Sequence, residues 1–259
     1  MCFYSCYAFD LDGTLYRGNE VVPGAAETVA ALQGRGARIL YVTNNSGLTK
    51  GDYVEKLGRL GFSASEDQIV TSGQAGADVC RLRGYQKVFL VGEPGLVATF
   101  RANGLEVVNA GEDGSVRPSD SSADVVVSGI CREALSYRLL DSAMQVAIQT
   151  QNYIACNGDL TYPIEGGKFS PGSGSIVAAI EACSGVKPFV AGKPNPTILT
   201  SAFDRLGIDA ADTLMVGDRM DTDIACGRAA GCDTLLVLSG VAHEPVGGQW
   251  CLESVRGLL

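Results

Sequence analysis

Histidine is nearly missing from this chain: His243 is the only one in 259 residues. That scarcity removes most imidazole chemistry. A zinc centre needs close-spaced Cys or His ligands. The nine cysteines, Cys2, Cys6, Cys80, Cys131, Cys156, Cys183, Cys226, Cys232 and Cys251, are scattered and include no C-x-x-C pair. They read as reduced, mostly buried small hydrophobes. A Ser-His-Asp hydrolase would depend on His243 alone, and no G-x-S-x-G elbow supplies its nucleophile. Close to Pro245 and Gly247-Gly248, His243 reads as a loop residue. Basic clusters with interleaved aromatics are also lacking and the net charge is −9, which excludes nucleic acid as a partner. No apolar run approaches the roughly 20 residues that cross a bilayer. Met1 to Cys6 has no basic n-region, which predicts a cytoplasmic protein that does not engage membranes. Solenoid repeats and low-complexity tracts are missing too.

What is present is the composition of a compact protein rich in tight turns, with 46% hydrophobic residues, 19% charged residues and 33 glycines. Apolar β-type runs alternate with amphipathic helical stretches, the pattern of parallel βαβ units with helices on both faces of a sheet. The spacing predicts a strand at Tyr7-Ala8-Phe9, a helix over 25–33, a strand at 39–42, a helix through Tyr53, Val54, Leu57 and Leu60, a strand at 69–70 and a helix over 74–82. A second series follows: strands at 87–91, 125–127 and 153–155, a helix over 135–149, a glycine-rich stretch from Glu165 to Ser175 and a helix ending near Cys183. From Phe189 to Ala191 the pattern returns to single strand-helix units, with strands at 213–216 and 234–238. The reading is a doubly wound, Rossmann-like parallel-sheet α/β core (residues 1–81 and 188–259) interrupted by a smaller inserted α/β domain (residues 82–187).

Asp10-Leu11-Asp12-Gly13-Thr14 places two carboxylates two residues apart at a strand end, where both can face one ligand while Gly13 lets the chain turn. Alone, the string could equally be a polar turn. Other polar residues also fall just beyond expected core strands: Thr43-Asn44-Asn45, Gly192-Lys193-Pro194, and Gly217-Asp218 through Asp223. Open α/β sheets bind ligands there. Taken singly, Lys193 could be a surface lysine, Thr43 a β-branched strand end, and Asp221 a helix cap.

Those four segments, in that order, resemble the motifs of the haloacid dehalogenase superfamily of phosphohydrolases. Asn157 to Pro163 with Pro171 to Ser175 is similar to its p-nitrophenylphosphatase and phosphoglycolate phosphatase branch. Only about 25 residues separate Asp12 from the strand at Ile39, too few for an inserted domain, whereas about 150 separate Thr43 from Lys193. The insertion therefore follows the second motif, the type II cap position.

The resemblance implies hydrolysis of small phosphate monoesters. Asp10 is the implied nucleophile forming an aspartyl-phosphate, and Asp12 the acid and then base. Mg²⁺ is implied at Asp10, the backbone carbonyl of Asp12, and Asp218, with Asp223 orienting a metal-bound water. Lys193, Thr43 and the Asn44-Asn45 side would hold the phosphoryl oxygens. A cap closing over the core implies a small phosphorylated metabolite, with Asn157, Asp159 and Tyr162 contacting its leaving group. Packing of Tyr162 beside Pro163 is the alternative. A homodimer through the cap is a further implication. Rival readings are a phosphomutase, whose cap usually occupies the first position, a dehalogenase, which would lack the second aspartate, and a non-catalytic binding protein that kept the fold.

Overall fold

The computed structural model describes residues 3–164 and 168–259. Cys2 and the start of the glycine-rich stretch, Glu165 to Gly167, lie outside the described residues. Two compact units divide the chain, one of Met1–Thr43, Lys50–Val70 and Lys193–Leu259, the other of Asn44–Thr49 and Thr71–Gly192.

The first unit is built on a parallel sheet in the order Trp250–Leu252, Asp233–Val237, Thr213–Gly217, Cys6–Asp10, Arg38–Thr43, Ile69–Thr71. The runs Tyr7-Ala8-Phe9 and Ile39 to Val42 are apolar at every position because helices cover both faces, and each of these side chains is buried. Fully burying one such Leu, Ile or Phe contributes about 1.5–3 kcal/mol. Helix Lys50–Arg59 buries Tyr53 and Leu57, four residues apart on one face. Strand Cys6–Asp10 sits at the centre. From it the chain builds outward on one side through Arg38–Thr43, then returns to the other side through Thr213–Gly217. The reversal leaves a crevice at the carboxyl ends of these strands, where the topology provides for a ligand.

The second unit carries a five-stranded parallel sheet ordered Phe189–Val190, Tyr153–Ala155, Val125–Ser128, Lys87–Val91, Glu106–Val107. Helix Tyr137–Thr150 turns Leu139, Ala143, Val146 and Ala147 inward, and the Ser136 hydroxyl caps its start by accepting from Leu139 N–H. Helix Ser173–Ser184 belongs to it as well, and so do helix Pro94–Ala102 and the antiparallel pair Thr161–Ile164 with Lys168–Pro171, the latter two not anticipated from the pattern.

Two assignments move from one unit to the other. Phe189–Val190, expected as a core strand, pairs in register with Ile154 and Ala155 at the edge of the second sheet. Helix Ser72–Leu82, expected in the core, belongs to the second unit, where Gly76 lies close enough to Cys156 and Phe100 that a Cβ would touch both. A short apolar strand carries no mark of which sheet it joins.

Among the described residues no helix is long and apolar enough to cross a membrane. The eight described cysteines are all free, six of them buried. Burial pushes the Cys6 and Cys131 thiols up to about 11, so neither is a thiolate at neutral pH. His243 is exposed in an irregular segment, as its sequence context suggests.

Candidate active site

Parallel pairing sets Asp10 beside Val42 on one side, and Phe9 beside Val216 on the other, so three consecutive segments deliver their polar residues to the same end of the sheet. Asp10, Asp218 and Asp223 are all buried, and one carboxylate oxygen from each lies within 4.8 Å of the others. Lys193, also buried, sits among them, 2.5 Å from Asp10 Oδ1 and 2.8 Å from Asp223 Oδ1. The second oxygen of Asp223 accepts from Arg219 N–H at 3.0 Å, so both its oxygens are engaged. Thr14, which the sequence reading passed over, donates to Asp10 Oδ2 at 3.3 Å.

One ammonium among three carboxylates sets the electrostatics. Burial alone would push the Lys193 ammonium down, but Asp10 and Asp223 outweigh it and hold the group charged. Burial, reinforced by Asp223 and Asp218, drives the Asp10 carboxyl upward against the opposing charge of Lys193. Burial and the charge of Asp223 raise Asp218 to about 7. The cluster has two more negative than positive formal charges, which a divalent cation would cancel. Hard carboxylate oxygens that close together fit Mg²⁺ in donor type.

Asp12 follows the strand and is exposed as a residue, yet the protein around its carboxyl removes enough hydration to raise its pKa, against the charges of Lys56 and Lys193. Thr43 is buried at its strand end, with its side chain hydrogen-bonded to the Tyr53 hydroxyl. Asn45 Oδ1 closes a local turn by accepting from Gly47 N–H. Asp221 is exposed and forms a two-pronged pair with Arg219, which lowers its pKa; it does not act as a helix cap.

In the second unit Asn44, Asn157 and Asp159 come together. Asn44 Nδ2 donates to Asp159 Oδ2 at 3.0 Å, and Asn157 Nδ2 donates to the Asn44 carbonyl at 2.6 Å. Tyr162 is half-buried and its hydroxyl accepts from Arg132, whose guanidinium also meets Glu93 at 3.4 Å.

Close glycine contacts fix these positions. A Cβ on Gly217 would sit 2.5 Å from Asp223 Cγ. Gly217→Ala is therefore expected to cost about 1–3 kcal/mol through forced displacement. Because Asp223 holds Lys193, the same change should lower turnover; thermal melts and assays of the variant check both effects.

A doubly wound parallel sheet whose switch point gathers three carboxylates and a lysine belongs to the α/β proteins that hold an anionic ligand and a cation at their strand ends. Residues 7–106 match the family model described as haloacid dehalogenase-like hydrolase, and residues 190–251 match a second, HAD-hydrolase-like model. The chain is 37% identical over 242 residues to the 5'-nucleotidase YutF of Bacillus subtilis, covering 93% of this chain and 90% of that one. It superposes on a p-nitrophenyl phosphatase from Archaeoglobus fulgidus with a TM-score of 0.87 at 32% identity, covering 99% of this chain and 98% of the other. A glycerol phosphate phosphatase from Mycobacterium tuberculosis, solved in complex with magnesium, matches with a TM-score of 0.85 at 34% identity over 99% of this chain and 76% of its own. The chain belongs to the haloacid dehalogenase-like hydrolase family.

Proposed function

We propose that this chain is a Mg²⁺-dependent phosphatase that hydrolyses small-molecule phosphate monoesters through an aspartyl-phosphate on Asp10. The observation that carries the reading is the buried Asp10, Asp218 and Asp223 set around a single lysine, with two negative charges in excess. Its named relatives act on a nucleotide, p-nitrophenyl phosphate and glycerol phosphate, all small phosphate esters.

Asp10 attacks phosphorus in line and the ester oxygen departs. Asp12, with its raised pKa, protonates that leaving oxygen. As the resulting carboxylate, it then takes the proton of the water that cleaves the aspartyl-phosphate. Lys193 and Thr43 hold the phosphoryl oxygens. Asp10, Asp218 and the Asp12 carbonyl would hold Mg²⁺, whose charge lets a phosphate dianion approach a carboxylate. Asp223 orients Lys193 through one oxygen, and its place in the carboxylate set keeps it within reach of the metal position. Asn44, Asn157, Asp159 and Tyr162 of the second unit are assigned to the leaving group. Asn45, whose side-chain oxygen closes its own turn, is assigned with Lys193 and Thr43 to the phosphoryl side.

Phosphate release from p-nitrophenyl phosphate and a panel of sugar, nucleoside and glycerol phosphates tests the reading. Release is expected to need Mg²⁺, to stop on chelation and to return when Mg²⁺ is restored. Turnover that ignores the chelator would overturn it.

A further inference from the structure

Asp218 is held by a segment that leaves the end of strand Asp233–Val237 and passes into an irregular stretch. Val241 N–H donates to Asp218 Oδ2 at 2.6 Å, and Ala242 N–H to the Asp218 carbonyl at 3.1 Å. A Cβ on Gly240 would lie 2.5 Å from Asp218 Cγ, so this backbone packs directly on the carboxylate. Beyond it the chain runs to Trp250 without a strand or helix, and most of that run is exposed. A backbone donor on such a segment aims well only if the segment is anchored nearby.

Besides the strand Asp233–Val237 behind it, whose end is tied by Leu238 N–H to the Leu252 carbonyl, an anchor comes from the loop that carries Asp10 and Asp12. Just beyond Asp12, Tyr16–Arg17 pairs antiparallel with Glu20–Val21. From this hairpin Arg17 Nε donates to the Ser239 carbonyl at 2.8 Å, and Nη2 donates to the same oxygen. The Ser239 hydroxyl returns a bond to the Gly13 carbonyl at 2.8 Å. Gly13, at φ 92°, packs on the same carboxylate, where a Cβ would sit 2.8 Å from Asp218 Cγ and 3.1 Å from Gly240 Cα. Arg17 thus grips the residue two positions before the donor to Asp218. Two guanidinium N–H groups on one carbonyl make a charge-assisted grip that lysine cannot copy.

We propose that Arg17 is a positioning residue for Asp218, acting through the Ser239–Val241 segment to set the affinity of the site for Mg²⁺. The proposal rests on the assignment of Asp218 as a metal ligand. Arg17 lies outside the four motif segments and touches none of the carboxylates in the hydrogen bonds described. Its effect therefore belongs to metal binding and not to the phosphoryl-transfer step.

The test is Mg²⁺ titration by calorimetry on the metal-free full chain, with kcat and KM for p-nitrophenyl phosphate measured at saturating Mg²⁺. Arg17→Met is expected to weaken Mg²⁺ binding about 10–100-fold, the usual effect of losing a group that orients a metal ligand, with kcat and KM at saturating Mg²⁺ near wild type. Arg17→Lys should weaken it to a smaller extent, and it carries the test if Arg17→Met does not fold. Arg38→Met is the comparison: Arg38 also donates to a lone backbone carbonyl, that of Leu206 at 2.8 Å, but nowhere near Asp218 by chain connection. It should melt earlier and bind Mg²⁺ like wild type. Arg17 variants that bind Mg²⁺ as tightly as wild type, while Asp218→Asn loses it, overturn the proposal alone. Asp218→Asn binding Mg²⁺ like wild type overturns the metal assignment itself.

Discussion

Asp10→Asn is expected to reduce phosphate release by about 10⁴-fold or more, as removal of a covalent nucleophile does. The substitution keeps the shape of the side chain and leaves an oxygen to accept from Lys193 Nζ and another polar atom near Thr14. Folding should therefore survive, and the loss would report chemistry. The amide cannot attack phosphorus, and the remaining groups can only position water. A second readout separates nucleophile from bystander: rapid acid quench of the wild type during turnover should trap a phosphorylated chain by intact mass, and the variant should show none. A variant that retained a tenth of the activity would sink covalent catalysis at Asp10.

Lys193→Met should damage stability as well as turnover. The ammonium is the partner of two buried carboxylates, at 2.5 and 2.8 Å, whose side chains are 11% and 2% exposed. Breaking a buried pair by removing one member costs about 3–5 kcal/mol, because charge is left without compensation. Loss of the cation against the phosphoryl group should lower kcat about 10²–10³-fold at saturating Mg²⁺.

The pH dependence has a definite sign. Without Lys193, burial holds the folded-state pKa of Asp10 even further above its unfolded value. The folded protein then keeps a proton that the unfolded chain has lost, over the pH range between the two values. Stability from such a group is fully present below the unfolded pKa and is lost as pH rises through the folded one. The deficit of Lys193→Met relative to wild type should therefore be largest near pH 7 and shrink toward pH 4–5. Melting temperatures of both proteins across that range, without metal, measure it. A deficit that grows on acidification would mean that Lys193 is not the compensating charge.

Much of the site is legible in the order of residues because strand ends are marked twice, by the stop of an apolar run and by the polar residues after it. Asp10, Thr43 and Asp218 each follow such a run and lie at the same end of one sheet. Lys193 reaches the cluster too, although the strand before it, Phe189–Val190, belongs to the other sheet. The same signal stood at Ser239-Gly240, one residue beyond the core strand Asp233–Val237, and only the hydrogen bonds to Asp218 give it meaning. Asp223 illustrates the limit differently. Its sequence position suggests orientation of a metal-bound water; only the structure shows that it also meets Lys193 and Arg219 N–H.

By itself the sequence determined the α/β class, the order of most strands and helices, and the residues offered at the strand ends, since period, apolar run length and turn chemistry are local properties of the chain. It also contains the family's four motifs in order. Only the tertiary structure decided which sheet a two-residue strand joins, which carboxylate pairs with Lys193, and that Arg17 and Ser239, 222 residues apart, hold one loop together. Those choices depend on hydrogen bonds and charge pairs between segments far apart in the chain, whose partners are selected by packing and not by any pattern that a single segment carries.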